Sequence, residues 1–165
     1  MFNITQWEFW PQFVTFTTAM IPVIELRGAI PVAIQVFKMP PLEAFFWAAL
    51  GNMVPNFFLV WLLGPISNFF MEHSLFFKKF LTKIFEKTRA KHSEKFTKYG
   101  AIFLVIFIGI PVPGTGSWTG SLIAFLFGIK YWHAMALIAL GVMLAGIIVT
   151  LGFTSFVNII EWIIH

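Results

Sequence analysis

The sequence predicts an all-α integral membrane protein in which a re-entrant helical hairpin followed by a transmembrane helix occurs twice, as an inverted repeat, with an amphipathic cytoplasmic helix between the copies. Three observations carry this. Residues 44–71, 99–129 and 131–160 contain no Asp, Glu, Lys or Arg, and neither do residues 9–24. Each of the three longer runs exceeds the roughly 20 residues that cross a bilayer core as a helix. The two halves of the chain also carry matching tripeptides, and the segment between them concentrates the positive charge.

Composition agrees with lipid as the solvent. Hydrophobic residues make up 59% of the chain, charged residues only 11%, and mean hydropathy is +0.86. A soluble domain of this size needs far more surface charge. Trp7, Trp10, Trp47, Trp61, Trp132 and Trp162 fall near the ends of the apolar runs, where interfacial belts form. With no cysteine, disulfides, thiolate metal sites and a Cys nucleophile are excluded. No basic residue precedes the first apolar run and Glu8 stands where a positive leader region belongs, so the N-terminus does not read as a cleavable signal.

The first repeat is expected over about 12–64, as a hairpin over 12–37 and a spanning helix over 43–64. Its break is Pro22-Val-Ile-Glu25-Leu-Arg27-Gly28-Ala-Ile-Pro31. Proline removes a backbone donor and glycine relaxes backbone dihedrals, so the decapeptide is expected to unwind, with Pro31 at the first position of a following helix. Glu25 and Arg27 are the only charges between Phe9 and Lys38. A charge in the bilayer costs roughly 2.5 to 3.5 kcal/mol on insertion scales, so a pair of them is seldom idle. Three readings stand: a structural ion pair with Arg27 bonding free carbonyls, a break lying in the interface, or a substrate and proton site. In the last, the Arg27 guanidinium grips an anion through parallel hydrogen bonds. Glu25, a carboxylate in low dielectric, takes and releases the proton. Asn52 and Asn56, one turn apart beside Pro55, give the spanning helix a polar face that lines the cavity or bonds a neighbouring helix.

The connector, 65–98, holds eight basic against three acidic residues over 72–98, a net charge of +5, while the rest of the chain sums to −1. Ile66, Phe69, Phe70, Phe76, Phe77, Phe80, Leu81, Ile84 and Phe85 recur at three- to four-residue intervals, the pattern of an amphipathic surface helix. The positive-inside rule puts it in the cytoplasm and both termini outside. Topology and anionic lipid account for its charge, so no nucleic-acid partner is expected.

The second repeat is expected over about 100–154, as a hairpin over 100–129 and a spanning helix over 131–154, with 155–165 at the interface. Ile-Pro-Val occurs at 21–23 and 110–112, Ala-Leu-Gly at 49–51 and 139–141, at offsets of 89 and 90 residues. Small transporters are often assembled from such inverted repeats. The second break, Pro111-Val-Pro113-Gly114-Thr115-Gly116-Ser117-Trp118-Thr119-Gly120, is likewise expected to unwind and carries no charge. Its glycines permit close approach, and Thr119 or Ser121 caps the next half-helix, leaving backbone N–H groups for an anion. Gly-Lys-Ser/Thr is missing, so it is no P-loop. His73, His92 and His133 read as solvated or interfacial, and the scattered histidines and acids predict neither metal nor cofactor.

These two breaks resemble the signatures of the putative small multidrug export protein family, over nearly the whole chain. That family is similar in turn to the DedA and VTT-domain membrane proteins, which the resemblance implies as the fold: inverted repeats with re-entrant hairpins. Members of the wider group are implicated in moving lipid phosphates and in proton-dependent drug resistance. By role, the acidic and arginine residues important there correspond to Glu25 and Arg27 here. This chain contains no Asp and no second arginine near the second hairpin.

The function expected is a small proton-coupled secondary transporter of the cell membrane. It would move an anionic amphipathic or lipid-phosphate substrate bound by Arg27, Gly28, Gly114, Thr115, Gly116, Ser117, Thr119 and Gly120, with Glu25 as proton carrier. The alternatives are a proton/drug-cation antiporter using Glu25, and a scramblase, channel or membrane assembly factor. With no nucleophile–base or carboxylate pair in the membrane segments, an enzyme is not expected. Two spans and two hairpins make a thin wall, which predicts a homodimer among membrane lipids.

Overall fold

The computed structural model describes residues 9–76, 78, 79, 82, 83, 94–112 and 114–164. Pro113 and, in the amphipathic connector, Phe77, Phe80, Leu81 and residues 84–93 lie outside the described residues. Among the described residues, in chain order, are the helices α1 Trp10–Ala19, α2 Glu25–Gln35, α3 Pro41–His73, α4 Glu94–Gly109, α5 Ser117–Leu126 and α6 Tyr131–Ile164, and residues 75, 76, 78, 79, 82 and 83 are helical as well.

The contacts give each half its course. Gln12 Nε2 donates to Glu43 Oε1 at 2.7 Å near the start of α3, and the Phe16 carbonyl lies against Gly51 further along it, so α1 runs parallel to α3. Chain direction reverses at residues 20–24. α2 descends from the level of Asn52 to a small cluster of Ala33, Met39 and Ala44 at the base of α3. In the second half, Gly141 of α6 lies against the Val105 carbonyl and Ile108, and Gly109 against Leu144, so α4 runs parallel to α6. The chain reverses at 110–116, and α5 returns along α4 with Gly120 against Ile108 and Leu104. Both first arms are therefore the parallel partners of the long helix that follows.

The long helices run in opposite directions, with Gly146 against Phe45 and the Tyr131 hydroxyl donating to the Phe57 carbonyl at 3.3 Å. α3 and α6 are long and apolar enough to cross a membrane, with stretches of mean hydropathy 1.5 and 2.6. Only 33% and 39% of those stretches are buried within the chain. Phe46, Phe58, Trp61, Leu140, Ile147 and Leu151 are exposed, an apolar surface that suits lipid and not water. The core between the helices is narrow and built from small residues: Ala19, Ala29, Ala48, Ala124, Ala134 and Ala145, filled out by Leu26, Ile30, Leu104, Ile108, Ile138 and Val142. Small side chains at the crossings let backbones approach closely, which is how helices pack when lipid competes for apolar contact.

Local chemistry explains the ends. Pro11 occupies the first turn of α1, where its missing N–H is no loss. Thr15 and Thr17 return their hydroxyls to the Pro11 and Phe13 carbonyls at 2.7 and 2.9 Å, so neither is an unpaired polar group. α5 ends on Gly128 at φ +67, with Ile129 N–H donating back to the Ala124 carbonyl at 3.0 Å. Lys38, at φ +53, ends α2 in the same way, with Met39 N–H donating to the Ala33 carbonyl at 3.1 Å.

Three features differ from the sequence reading. Neither decapeptide unwinds as a whole: residues 20–24 break and Glu25 already opens α2, and in the second Ser117, Trp118, Thr119 and Gly120 already belong to α5. Pro31 accordingly sits inside α2, not at its first position. Glu25 N–H bonds the Ile21 carbonyl at 2.9 Å and Gly28 N–H the Ile24 carbonyl at 3.0 Å, so the turn is closed before Pro31 is reached. The long helices also outrun their expected ends at 64 and 154, passing through Pro65 and Ser155. Near Pro65, the Ser67 hydroxyl donates to the Gly64 carbonyl at 2.9 Å.

Candidate functional site

The two chain reversals meet, and what joins them is the charge pair of α2. Arg27 is half-buried and reaches into the end of α4. Its Nη1 donates to the Val112 carbonyl. Its Nη2 faces the Ile108 carbonyl at 3.2 Å, the Ile110 carbonyl at 3.1 Å and Thr115 Oγ1 at 3.3 Å. The last carbonyls of a helix have no partner within it and carry its partial negative charge. A planar guanidinium serves several of them at once, which a lysine ammonium does less well.

Glu25 does the converse. It is 4% exposed, and its Oε1 accepts from Trp118 N–H and from Ser117 Oγ, both at 3.3 Å. Trp118 is the second residue of α5, so the carboxylate sits on free N–H groups at the positive end of that helix. Gly116, the N-cap residue, has no side chain to do this itself. A Cβ at Gly116 would overlap the Glu25 carboxylate, so glycine is what admits it. Glu25 also holds φ +48, a left-handed conformation unusual outside glycine, which stores about 1 to 2 kcal/mol. It is kept there by the contacts just described.

Beneath the carboxylate lies a buried polar cluster. Asn52, Asn56 and Ser121 are 0% exposed and Ser117 is 1%. Ser117 Oγ lies 2.7 Å from Asn52 Oδ1 and accepts from Asn56 Nδ2 at 2.8 Å, while Ser121 Oγ donates to Asn56 Oδ1 at 2.9 Å. Asn56 Nδ2 also meets the Asn52 backbone carbonyl at 2.6 Å. Asn52 Nδ2, Arg27 Nε and Trp118 Nε1 are buried donors without an acceptor. A buried donor left unpaired carries a desolvation penalty of about 1 to 3 kcal/mol.

The candidate residues read from the sequence divide accordingly. Glu25, Arg27, Asn52, Asn56, Thr115, Gly116 and Ser117 come together. Thr115 Oγ1 donates toward the Ile110 and Val112 carbonyls at 2.8 Å while accepting from Arg27, so it braces the reversal. Gly114 provides the left-handed turn at φ +89. Gly28 and Gly120 are packing glycines, against Ile24 and against Ile108 and Leu104. Pro22 and Pro111 lie exposed in the two reversals, and Thr119 points outward on the exposed face of α5. Neither Thr119 nor Ser121 caps α5; Ser121 turns instead to Asn56. Of the N–H groups expected to stand bare for an anion, that of Trp118 is met by Glu25. What sequence reasoning missed was this cross-capping, and the one signal for it was a helix start whose cap position is glycine.

The described fold and site can be set beside known proteins. The family described as "Putative small multi-drug export protein" matches residues 25–148, a stretch that opens on Glu25 and takes in every residue of the cluster. No curated protein and no solved structure matches the chain. With three quarters of its length matched, an all-helical fold and two membrane-length helices, this is an integral membrane chain that belongs to the putative small multi-drug export protein family.

Proposed function

We infer that the chain is a proton-coupled secondary exporter built as an inverted repeat of two re-entrant hairpins, and that Glu25 is its proton site. Several features support the re-entrant reading. α1, α2 and α5 have 10, 11 and 10 residues, about 15 Å each at 1.5 Å per residue, half of a hydrocarbon core of about 30 Å. Such arms enter and return; they do not cross. The repeat is supported by equivalences beyond the tripeptides: Lys38 and Gly128, 90 residues apart, end the second arms left-handed. The carbonyls of Phe16 and Val105, 89 apart, meet Gly51 and Gly141. Unwound backbone is tolerated at membrane depth only where protein satisfies it, as Arg27 and Glu25 do here.

The observation that carries the function is a buried carboxylate that holds the two hairpin tips together by two long hydrogen bonds. Neutralising it removes the charge that the α5 N-terminus attracts, so proton binding loosens the contact between the tips. A cytoplasmic connector and a transport direction out of the cell belong to the same reading. The substrate it favours is a small amphipathic cation exchanged for the proton at Glu25, because the Nη groups of Arg27 are already committed to carbonyls. A second reading, an anionic amphipath or lipid phosphate, rests on Arg27 Nε and Trp118 Nε1, which lack acceptors.

Both are tested in proteoliposomes carrying the full chain and an imposed pH gradient, with ethidium as cationic probe and a fluorescent phosphatidylglycerol as anionic one. Gradient-driven ethidium movement abolished by Glu25→Gln is expected. Undiminished movement in that variant removes Glu25 as the proton site, and gradient-driven movement of the anionic probe alone selects the second reading.

A further inference from the structure

The polar cluster has one hydroxyl proton too few for the acceptors around it. Ser117 Oγ lies 2.7 Å from Asn52 Oδ1 and 3.3 Å from Glu25 Oε1, and a hydroxyl donates once. When Asn52 receives that proton, Glu25 keeps only the Trp118 N–H at 3.3 Å, and Asn52 Nδ2 is left buried without an acceptor. This arrangement suits a neutral Glu25, whose own O–H donates to the Ser117 oxygen. Turning the Asn52 amide by half a rotation exchanges its two ends without changing its shape. Nδ2 then donates to Ser117 Oγ, and the hydroxyl proton goes to Glu25, which suits the ionised carboxylate. Asn56 cannot make the same exchange, because its Nδ2 donates to the Asn52 backbone carbonyl at 2.6 Å, and a carbonyl only accepts.

We propose that Asn52 is a positioning residue for proton binding at Glu25: its amide, acting through the Ser117 hydroxyl, alternates between two hydrogen-bonding states matched to the neutral and ionised carboxyl. The proposal rests on Glu25 as the proton site. Other charge near the carboxyl is confined, among the described residues, to Arg27 on its own helix. α1 and α5 carry no charged residue. α3 carries Glu43 near its start and Glu72 and His73 at its end, α4 carries Glu94, Lys95 and Lys98 at its far end, and α6 carries His133 and Glu161 near its ends. The relay therefore has no nearby competitor from another helix. It couples the charge state of α2 to the seam between α3 and α5, because Asn52 belongs to one and Ser117 to the other.

The test needs no substrate. In the full chain reconstituted in phosphatidylcholine vesicles, the infrared C=O stretch of the protonated carboxyl, assigned by its loss in Glu25→Gln, is titrated with pH. Ser117→Ala removes the donor to the ionised form and moves the midpoint about one pH unit to the alkaline side, the scale of one hydrogen bond to a charged group. Ser117→Thr, which keeps the hydroxyl, restores it. Asn52→Ala moves the midpoint in the native background and leaves it unmoved in the Ser117→Ala background. An unchanged midpoint in Ser117→Ala, or an Asn52→Ala shift of equal size in both backgrounds, overturns the relay. Should Ser117→Ala not yield folded protein, Ser117→Cys keeps the volume, weakens the donor and is read the same way. A band that fails to titrate in the unsubstituted chain overturns the proton site itself and the relay with it. A titrating band without the Ser117→Ala effect overturns the relay alone.

Discussion

The two chain reversals are related by position and opposite in chemistry. The first, residues 20–24, closes on its own backbone: Met20 N–H returns to the Thr17 carbonyl and Ile21 N–H to the Thr18 carbonyl, each at 3.2 Å. Its apolar residues point outward, with Val23 93% exposed. The second, residues 110–116, is served from the other half, its helix ends taken by Arg27 and Glu25. At the 89-residue offset, Glu25 aligns with Gly114 and Arg27 with Gly116, so one half carries charge where the other carries bare backbone. The difference teaches that two chain reversals can be complementary: the chain after one supplies the ions, and the other supplies the helix ends that hold them.

That comparison breaks most readily at Gly116. Gly116→Ala places a methyl where the Glu25 carboxylate lies, and expelling a buried charge from its partners is expected to destabilise the chain by about 3 to 5 kcal/mol. The loss is read as a large fall in thermal midpoint in detergent. A substitution in the first reversal, Pro22→Ala, should fall within about 0.5 kcal/mol, since the residue is exposed. Equal effects at the two sites would erase the asymmetry.

Next in size is Arg27→Ala. It strips the α4 end of its guanidinium and leaves the Ile110 and Val112 carbonyls to Thr115 and the backbone of the reversal, a loss of about 1 to 3 kcal/mol. Arg27→Lys should recover part of it, because an ammonium carries the charge without the fork. Recovery in full would mean that charge alone, and not guanidinium geometry, holds the reversal.

A smaller effect is expected from Gly114→Ala. Nothing lies within reach of a Cβ there, and only the φ of +89 opposes a side chain, so a loss of about 1 to 2 kcal/mol without displacement of Glu25 is expected. Smallest is Thr119→Ala, on the exposed face of α5, within about 0.5 kcal/mol by the same thermal measurement. A substantial loss of transport in Thr119→Ala would restore that hydroxyl to the site from which the geometry removes it.

Much of this was legible before any coordinates. The absence of charge over long runs marked the helices, and two charges alone in such a run marked Glu25 and Arg27 as having a built environment. The reversals announced themselves by proline and glycine. Less legible was which helix end each charge would serve, because the partners are 81 to 93 residues away and no local periodicity encodes that meeting. Pro31 misled for a related reason: proline at a first helical turn and proline inside a helix look alike until the preceding hydrogen bonds are known. Phe77, Phe80 and Phe85 of the connector's aromatic pattern lie outside the described residues.

Gly51 and Gly141 bring a final consequence. At Gly51 a methyl group would overlap the Phe16 carbonyl of the first arm, and at Gly141 it would overlap the Ile108 side chain and crowd the Val105 carbonyl. Contacts that tight do not slide, so each arm travels with its own long helix as one lever. Relative movement is then left to the shared seam, where α3 meets α6 and the reversals touch. The Glu25 carboxylate lies at that seam.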